Sequence, residues 1–559
     1  MSVLFLVARL AAVVSDASIP HLAPPPATDF TSLSTADVPP TPPEMPSGVG
    51  SRAHVEAMVE DAIGWCALNG LMVKSAGDGP LFTHAPFSLL PAAYPASALE
   101  QAKKLAPIFG TLLDAIGRDV PWLARTLKDA ADADEFTRRL LKLCAQVQRE
   151  GATQPARLAI LRSDYVLHQP EGASSARLLQ VELNTIAAGL GALSARVGAL
   201  HTALCARWPG ARQHVWQAAG EPRKFSLRQV LPPSGALEAL AAALARAHAL
   251  YGVPDALVLF VVQPEEIYAL DQAALAQQLW NAHGVRSVRR TLSQLAFEAK
   301  LEGRQRRLHL MPERVEVAVV YLWAGYAPED YPSARQWEAR TLLERSHAIK
   351  CPCIEHQLAG SKQVQQQLTR AGELERFVDE EACSSLRAVF AGLWTLSGPM
   401  NPTADAPPGE HEAAQRMRLA AERPSEYVIA PEYVMMPQRE GSSEHSYCGA
   451  ELAEALRTLS QEQRSGFILM QRLRPRRAPA VLVREGKVSL GPAVSELGVF
   501  STLLTAKPGK VLLNEEAGHL VRTKLDGVED EGGVGADHTV LSSLLASPSL
   551  GHKKPWWSS

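Results

Sequence analysis

From position 51 apolar residues recur every three to four places, with Val55, Met58, Val59, Ala62 and Ile63 on one face and Gly70 closing the run, which predicts a helix. The same spacing predicts helices over 97–116, 121–127, 136–150 and 235–250. The period falls to two near 157–161 and 178–184, where strands are expected. Residues 256–262 form an unbroken apolar run, the signature of a strand buried on both faces. Asp271 reads as the N-cap of a helix reaching about Ala282, followed by strands over 286–291 and 315–321. This β-α-β alternation between about 254 and 335 predicts a small domain on a parallel sheet. Beyond Leu342 the pattern is helical to about Val389, and a Pro- and Ala-rich stretch over 402–409 reads as a surface insertion. Strands return over 427–436, 466–470, 480–483, 510–513 and 518–523.

Composition narrows the picture. A chain of 559 residues has material for two to four domains. At 46% hydrophobic and 21% charged it is an ordinary globular composition. A net charge of −3 excludes a general attraction to nucleic acid or to an anionic membrane, so any phosphate-handling charge must be local. The seven cysteines are scattered and odd in number, which points to free thiols in a reducing compartment, and the expected location is cytoplasmic. The apolar run 3–14 is too short to span a bilayer and Arg9 interrupts it. Residues 20–50 are rich in Pro, Ser and Thr without periodicity, so 1–48 is set apart as a disordered leader or organelle-targeting segment. A disordered tail is expected over 546–559.

The chemistry begins at Glu182 and Asn184, two residues apart on a strand and therefore on one face. A carboxylate beside an amide carbonyl suits Mg²⁺, which takes hard oxygen ligands and leaves positions for phosphate. The same pair also fits the wet face of an amphipathic strand. A second oxygen-rich element, Pro437-Gln438-Arg439-Glu440-Gly441, lies far downstream. Cys351, Cys353 and His356 are close enough for a zinc site but lack a fourth ligand, and buried thiols are the competing reading.

Seven blocks together resemble eukaryotic glutathione synthetase, an ATP-grasp ligase: Arg162-Ser163-Asp164-Tyr165; Val181-Glu182-Leu183-Asn184-Thr185-Ile186; Trp337-Glu338-Ala339-Arg340; Leu343-Glu344-Arg345-Ser346-His347-Ala348; Pro437 to Gly441; Ser495-Glu496-Leu497-Gly498; and Arg522-Thr523-Lys524. They follow the family's order and approximate spacing from about Val55 to about Ala536. The resemblance implies an α/β (α+β) ATP-grasp fold with a lid and an inserted parallel-sheet substrate-binding domain. It implies an N-terminal ATP-grasp portion over 49–253, the substrate domain over 254–360, and the nucleotide-binding portion and lid over 361–545. It further implies a homodimer acting on small molecules, with ATP as co-substrate and Mg²⁺ as cofactor, and no nucleic acid or membrane partner.

The implied reaction joins γ-glutamylcysteine to glycine through an acyl phosphate, and no protein nucleophile is needed. By resemblance Glu182, Asn184 and Glu440 are the magnesium ligands. Lys362 and Lys524 contact nucleotide, with Gln438, Gly441 and Tyr447 in the same cleft and Met470 and Glu496 at the adenosine. Arg162 and Arg522 anchor substrate carboxylates, and with Lys524 form the expected catalytic set. Glu266, Gln272 and Tyr326 are implied peptide contacts, as are Val534 and Gly535 in a small-residue loop.

The chain also departs from the family pattern. Met436 stands where the family has a phosphate-binding lysine, and after Glu440, where the family has three glycines and two asparagines, this chain has Gly441-Ser442-Ser443-Glu444-His445. Trp323 and Ala324 replace an Arg-Asp pair, Gln471 replaces an acid and Tyr268 an asparagine. These changes leave two alternatives open: a degenerate homologue that binds nucleotide or peptide with little turnover, or a ligase with a different terminal amino acid.

Overall fold

The structure is a computed structural model that describes residues 52–75, 81–151, 153–220, 226–422, 433–437 (backbone only), 447–527 and 539–547. Its central feature is a seven-stranded sheet in the order Arg477–Arg484, Phe87–Ser88, Val540–Ser542, Lys510–Leu525, Lys487–Lys507, Arg157–His168 and Arg177–Asn184. Arg477–Arg484 also pairs with Lys487–Lys507, so the first five of these strands close into a ring. Arg157–His168 lies antiparallel to both Lys487–Lys507 and Arg177–Asn184, which places it between segments more than 300 residues apart in sequence. The helix Ala96–Arg118 packs across the two long strands and buries Leu105, Phe109, Leu112, Leu113 and Ile116.

The second sheet has six strands. Ser287–Arg290, Leu257–Val261, Val315–Leu322 and Ile349–Cys351 run parallel, and Arg307–Leu310 and Ala299–Glu302 extend it antiparallel. Every residue of Leu257–Val261 is buried, as its unbroken apolar run requires. A third sheet, Leu393–Thr395, Phe467–Gln471, Tyr433–Pro437 and Tyr447–Cys448, packs with the helices Pro408–Glu422 and Gly449–Thr458 around its own core of Leu396, Met417, Leu452, Leu456 and Leu469.

Several expectations are corrected. Asp271 lies inside the helix Ala269–His283, whose N-cap is Tyr268. Its buried carboxylate instead accepts from the N–H groups of Leu190 and Leu193, both at 2.9 Å, and so caps the neighbouring helix Gly191–Arg207. Burial raises the Asp271 carboxyl to about 6, against the pull of those N–H groups. The helical run expected to about Val389 is broken by the strand Ile349–Cys351, which joins a parallel sheet through contacts invisible to local periodicity. The stretch 402–409 lies at the surface as expected, and its last two residues open the helix Pro408–Glu422, with Pro at its first turn, where the missing N–H costs nothing. The strands expected over 510–513 and 518–523 are one strand, Lys510–Leu525. Gly518, within it, has φ +98° and lets the backbone pass Ser234 and Ala236 too closely for any Cβ.

The sheets meet at the loop after Asn184. Ala187 N–H donates to the Leu322 carbonyl at 3.3 Å and Leu190 N–H to Asp271. Trp323 packs its ring where a Cβ on Gly189 would come within 2.6 Å.

Candidate active site

Strand register assembles the site. Arg162 faces Asn184 and Asp164 faces Glu182 on one side, Asp164 faces Gly498 on the other, and Glu496 faces Arg522 one strand further. Residues directly opposite in antiparallel strands share a face, so all these side chains project from one surface. A break in register between Asp164 and Tyr165 re-aims the strand just beyond the cluster.

At the centre is Asp164, 0% exposed. Arg162 grips it in a fork, with Nε at 2.8 and 3.1 Å and Nη2 at 2.9 Å from its carboxylate oxygens. Asn184 Nδ2 donates to it at 2.9 Å and Arg522 Nη2 at 3.0 Å. Burial alone would raise this carboxyl, but the Arg162 and Arg522 charges outweigh it and hold Asp164 below its ordinary range. Arg522 Nη2 also donates to Glu496 at 2.5 Å. Burial drives Glu496 up to about 7, with Arg522 pulling against it and the Asp164 charge adding to the rise. The Arg522 guanidinium is held more firmly charged, the Glu496 and Asp164 carboxylates outweighing its burial.

Lys362 arrives from another direction. It opens the helix Lys362–Thr369, which Ser361 caps by accepting from Val364 N–H. Its Nζ donates to the Val181 carbonyl at 2.8 Å and lies 3.7 Å from Glu182 Oε2, with the side chain only 3% exposed. Asp164, Glu182 and Glu496 thus stand against Arg162, Arg522 and Lys362, three carboxyl groups facing three cations on one patch. Lys524 follows Arg522 on the same face by register, opposite Val494.

The donors present fit one half of a site for a hard divalent ion. Asn184 Nδ2 lies 3.2 Å from Glu182 Oε1, so the amide and the carboxylate stand side by side at the rim of the strand. Among the described residues no group of three or more His, Cys, Asp and Glu is placed to hold a metal. Glu440, Gln438, Gly441, Val534 and Gly535 lie outside the described residues.

A second cluster lines the C-terminal ends of the parallel strands, where ligands gather in open α/β sheets. Glu266 accepts from Tyr268 N–H at 3.0 Å and Gln272 Nε2 at 2.9 Å, and burial raises its carboxyl. Gln263 Nε2 donates to the Tyr326 hydroxyl and to Asp330, each at 3.0 Å. Asp330 also accepts from the N–H groups of Gly325 and Tyr326, at 2.8 and 3.1 Å, and fixes that loop. The fully buried Gln272 carries an amide oxygen with no partner.

Met470 and Tyr447 sit on the third sheet. Met470 is buried opposite Leu393 and Val434, and the Tyr447 ring meets Phe467 edge-on at 5.6 Å. Gln471, beside Met470, turns its amide to the Gly392 N–H at 3.2 Å. Cys351 and Cys353 are buried thiols raised by desolvation, and His356 bonds Asp114 at 3.3 Å, so the zinc reading gains nothing. Sequence reasoning missed Asp164 and Asp330. Both could have been suspected, Asp164 because it follows Arg162 by two on a strand and Asp330 because it is an acid just after a Gly-Tyr turn.

A model of the eukaryotic glutathione synthase ATP-binding domain matches residues 52–545. The chain belongs to the eukaryotic glutathione synthase family. It is 37% identical over 501 residues to the chloroplastic glutathione synthetase of Solanum lycopersicum, covering 88% of this chain and 84% of the relative. It is 35% identical over 499 residues to the glutathione synthetase of Homo sapiens, covering 88% and 97%. The solved structure of a glutathione synthetase-like effector from Globodera pallida, in its apo form, superposes with TM-score 0.68 at 21% identity, covering 90% of this chain and 99% of that one. That likeness gives the fold, which is the ATP-grasp type of glutathione synthetase-like proteins.

Proposed function

We propose that the chain is a glutathione synthetase, joining γ-glutamylcysteine to glycine with ATP. The observation carrying this reading is the convergence of Arg162, Asn184, Glu182, Lys362, Glu496 and Arg522 on one face of the central sheet. The peptide's carboxylate attacks the γ-phosphorus of ATP and ADP leaves. The glycine amine then adds to the acyl carbon, forming the C–N bond; the C–O bond to phosphate breaks, and phosphate leaves with the proton that the amine gives up. Arg162 and Arg522 supply positive charge for the substrate carboxylate; the Arg162 fork itself is engaged by Asp164, with Nη1 on the Gly189 carbonyl at 3.2 Å, so Arg162 acts through its charge. Lys362 and Lys524 counter the phosphate charge, and Glu496 with Met470 faces the adenosine. Glu266, Gln272 and Tyr326 bind the peptide, and catalysis is positioning and charge neutralisation throughout.

Glu182, Asn184 and Glu440 would hold Mg²⁺. When bound, it neutralises the nucleotide phosphates and fixes their orientation. The division into an ATP-grasp portion over 49–253, a substrate domain over 254–360 and a nucleotide portion over 361–545 is supported by the six-stranded sheet lying within 257–351. The third sheet with its separate core is the candidate lid. The functional unit is a homodimer, and the cytoplasm its location unless residues 1–48 direct it to an organelle. Among the described residues no helix is long and apolar enough to cross a membrane.

The test is phosphate release from Mg-ATP. It should require both γ-glutamylcysteine and glycine, and release no greater than that of Glu182→Ala would end the proposal. One observation favours an altered substrate as a second reading: Trp323, at the position where the resemblance implies an arginine, is 5% exposed and fills the space beside Gly189. A panel of acceptor amines and γ-glutamyl peptides separates the two.

A further inference from the structure

Asp164 has no part in the chemistry described above, yet it is the most enclosed member of the cluster. Three independent groups spend hydrogen bonds on it: the Arg162 fork, Arg522 Nη2 and Asn184 Nδ2. The opposing strand leaves it room only because position 498 is glycine. A Cβ there would stand 2.7 Å from Asp164 Oδ1 and 3.0 Å from Arg162 Cδ.

Asn184 shows what the contact accomplishes. Its Nδ2 is surrounded by acceptors, with Asp164 Oδ2 at 2.9 Å, Glu182 Oε1 at 3.2 Å and the Arg162 carbonyl at 3.4 Å. A flipped amide would turn its oxygen toward two carboxylates and a carbonyl, a repulsive arrangement. The surroundings therefore lock nitrogen inward and carbonyl oxygen outward, and a divalent ion takes only the oxygen. Asp164 also stands between two guanidiniums that would otherwise repel one another, and so holds both within one patch.

We propose that Asp164 is a positioning residue that orients the Asn184 carbonyl toward a divalent cation and pairs Arg162 with Arg522 for a carboxylate ligand. The assignment rests on the ligase reading for its ligands, but its test reads binding and not turnover.

The probes are Mn²⁺ binding in the presence of ADP, followed by electron paramagnetic resonance, and γ-glutamylcysteine binding, followed by titration calorimetry. Asp164→Asn should raise both dissociation constants at least tenfold while remaining folded by circular dichroism. In an Asn184→Ala background the further effect of Asp164→Asn on Mn²⁺ should vanish, because a residue acting through Asn184 has nothing left to orient. A purely structural role predicts equal loss in both backgrounds and would overturn the proposal, as would unchanged binding in Asp164→Asn. Should that variant fail to fold, Gly498→Ala displaces the carboxylate without altering any charge. It should weaken both ligands in the same way, and unchanged binding there also overturns the assignment. A wild type that binds both probes but releases no phosphate would remove the ligase reading and leave this inference standing. A wild type that binds neither probe would remove both.

Discussion

A single nitrogen, Nη2 of Arg522, serves both Asp164 and Glu496. Lysine could reach both acceptors from its one nitrogen, but it lacks the further guanidinium N–H groups that the substrate carboxylate needs beside them. Arg522→Lys should therefore lower kcat/KM for γ-glutamylcysteine about a hundredfold, about 2.7 kcal/mol of transition-state stabilisation, which steady-state kinetics would register. A second residue-scale effect concerns His201, which is buried and bonded to Ser543 Oγ at 2.6 Å and the Ser88 carbonyl at 2.8 Å. Burial lowers its imidazole to about 4, below the ordinary 6.5. The unfolded chain therefore binds the extra proton between those values, and stability from this group is complete above 6.5 and lost as pH falls toward 4. Glu496 and Asp271, both raised, act in the opposite sense, so the comparison must be with a variant. The stability gap between wild type and His201→Gln should narrow by about 2 kcal/mol from pH 7.5 to pH 5 in urea titrations.

At the scale of elements, the loop after Val315–Leu322 is held from both sides. Asp330 takes its N–H groups, while the Tyr331 hydroxyl and Gln357 Nε2 donate to the Gly325 carbonyl at 3.2 and 2.9 Å. Gly325 has φ +98°, and a Cβ would meet the Tyr331 hydroxyl at 2.7 Å and Arg340 Nη1 at 3.0 Å. Gly325→Ala should shift the loop, cost about 1–2 kcal/mol of stability, and raise KM for the peptide at least tenfold with a smaller change in kcat. Kinetics with the peptide as varied substrate decide it. Elements with a strong local period were legible from the sequence: the helices Arg52–Asn69, Ala96–Arg118 and Glu135–Glu150, and the strand Leu257–Val261. The illegible ones depend on distant partners. Ile349–Cys351 is a strand because Val315–Leu322 lies beside it, and Asp271 caps a helix that starts 80 residues earlier. Asp164 escaped notice for the same reason, since Gly498 and Arg522 give it meaning from across the sheet.

For the whole molecule, family resemblance pointed to Arg162, Glu182, Asn184, Lys362 and Arg522, which the structure brings together, whereas their charge balance needed the assembled sheet. The homodimer expectation has a direct measurement. Light scattering should give twice the chain mass of 60.3 kDa, and a monomer at micromolar concentration would remove it. The path of the central strands has a further consequence. Arg522 meets Asp164 across 358 positions of sequence. A ribosome must therefore release nearly the entire polypeptide before that acid acquires its second cation. Until then the first half of the patch carries Asp164 and Glu182 with Arg162 alone nearby on the same strands. The charged cluster is thus among the last features a newly made copy completes, and a transcript that stops short of codon 522 encodes neither Arg522 nor the end of the strand Lys510–Leu525 that closes the central ring.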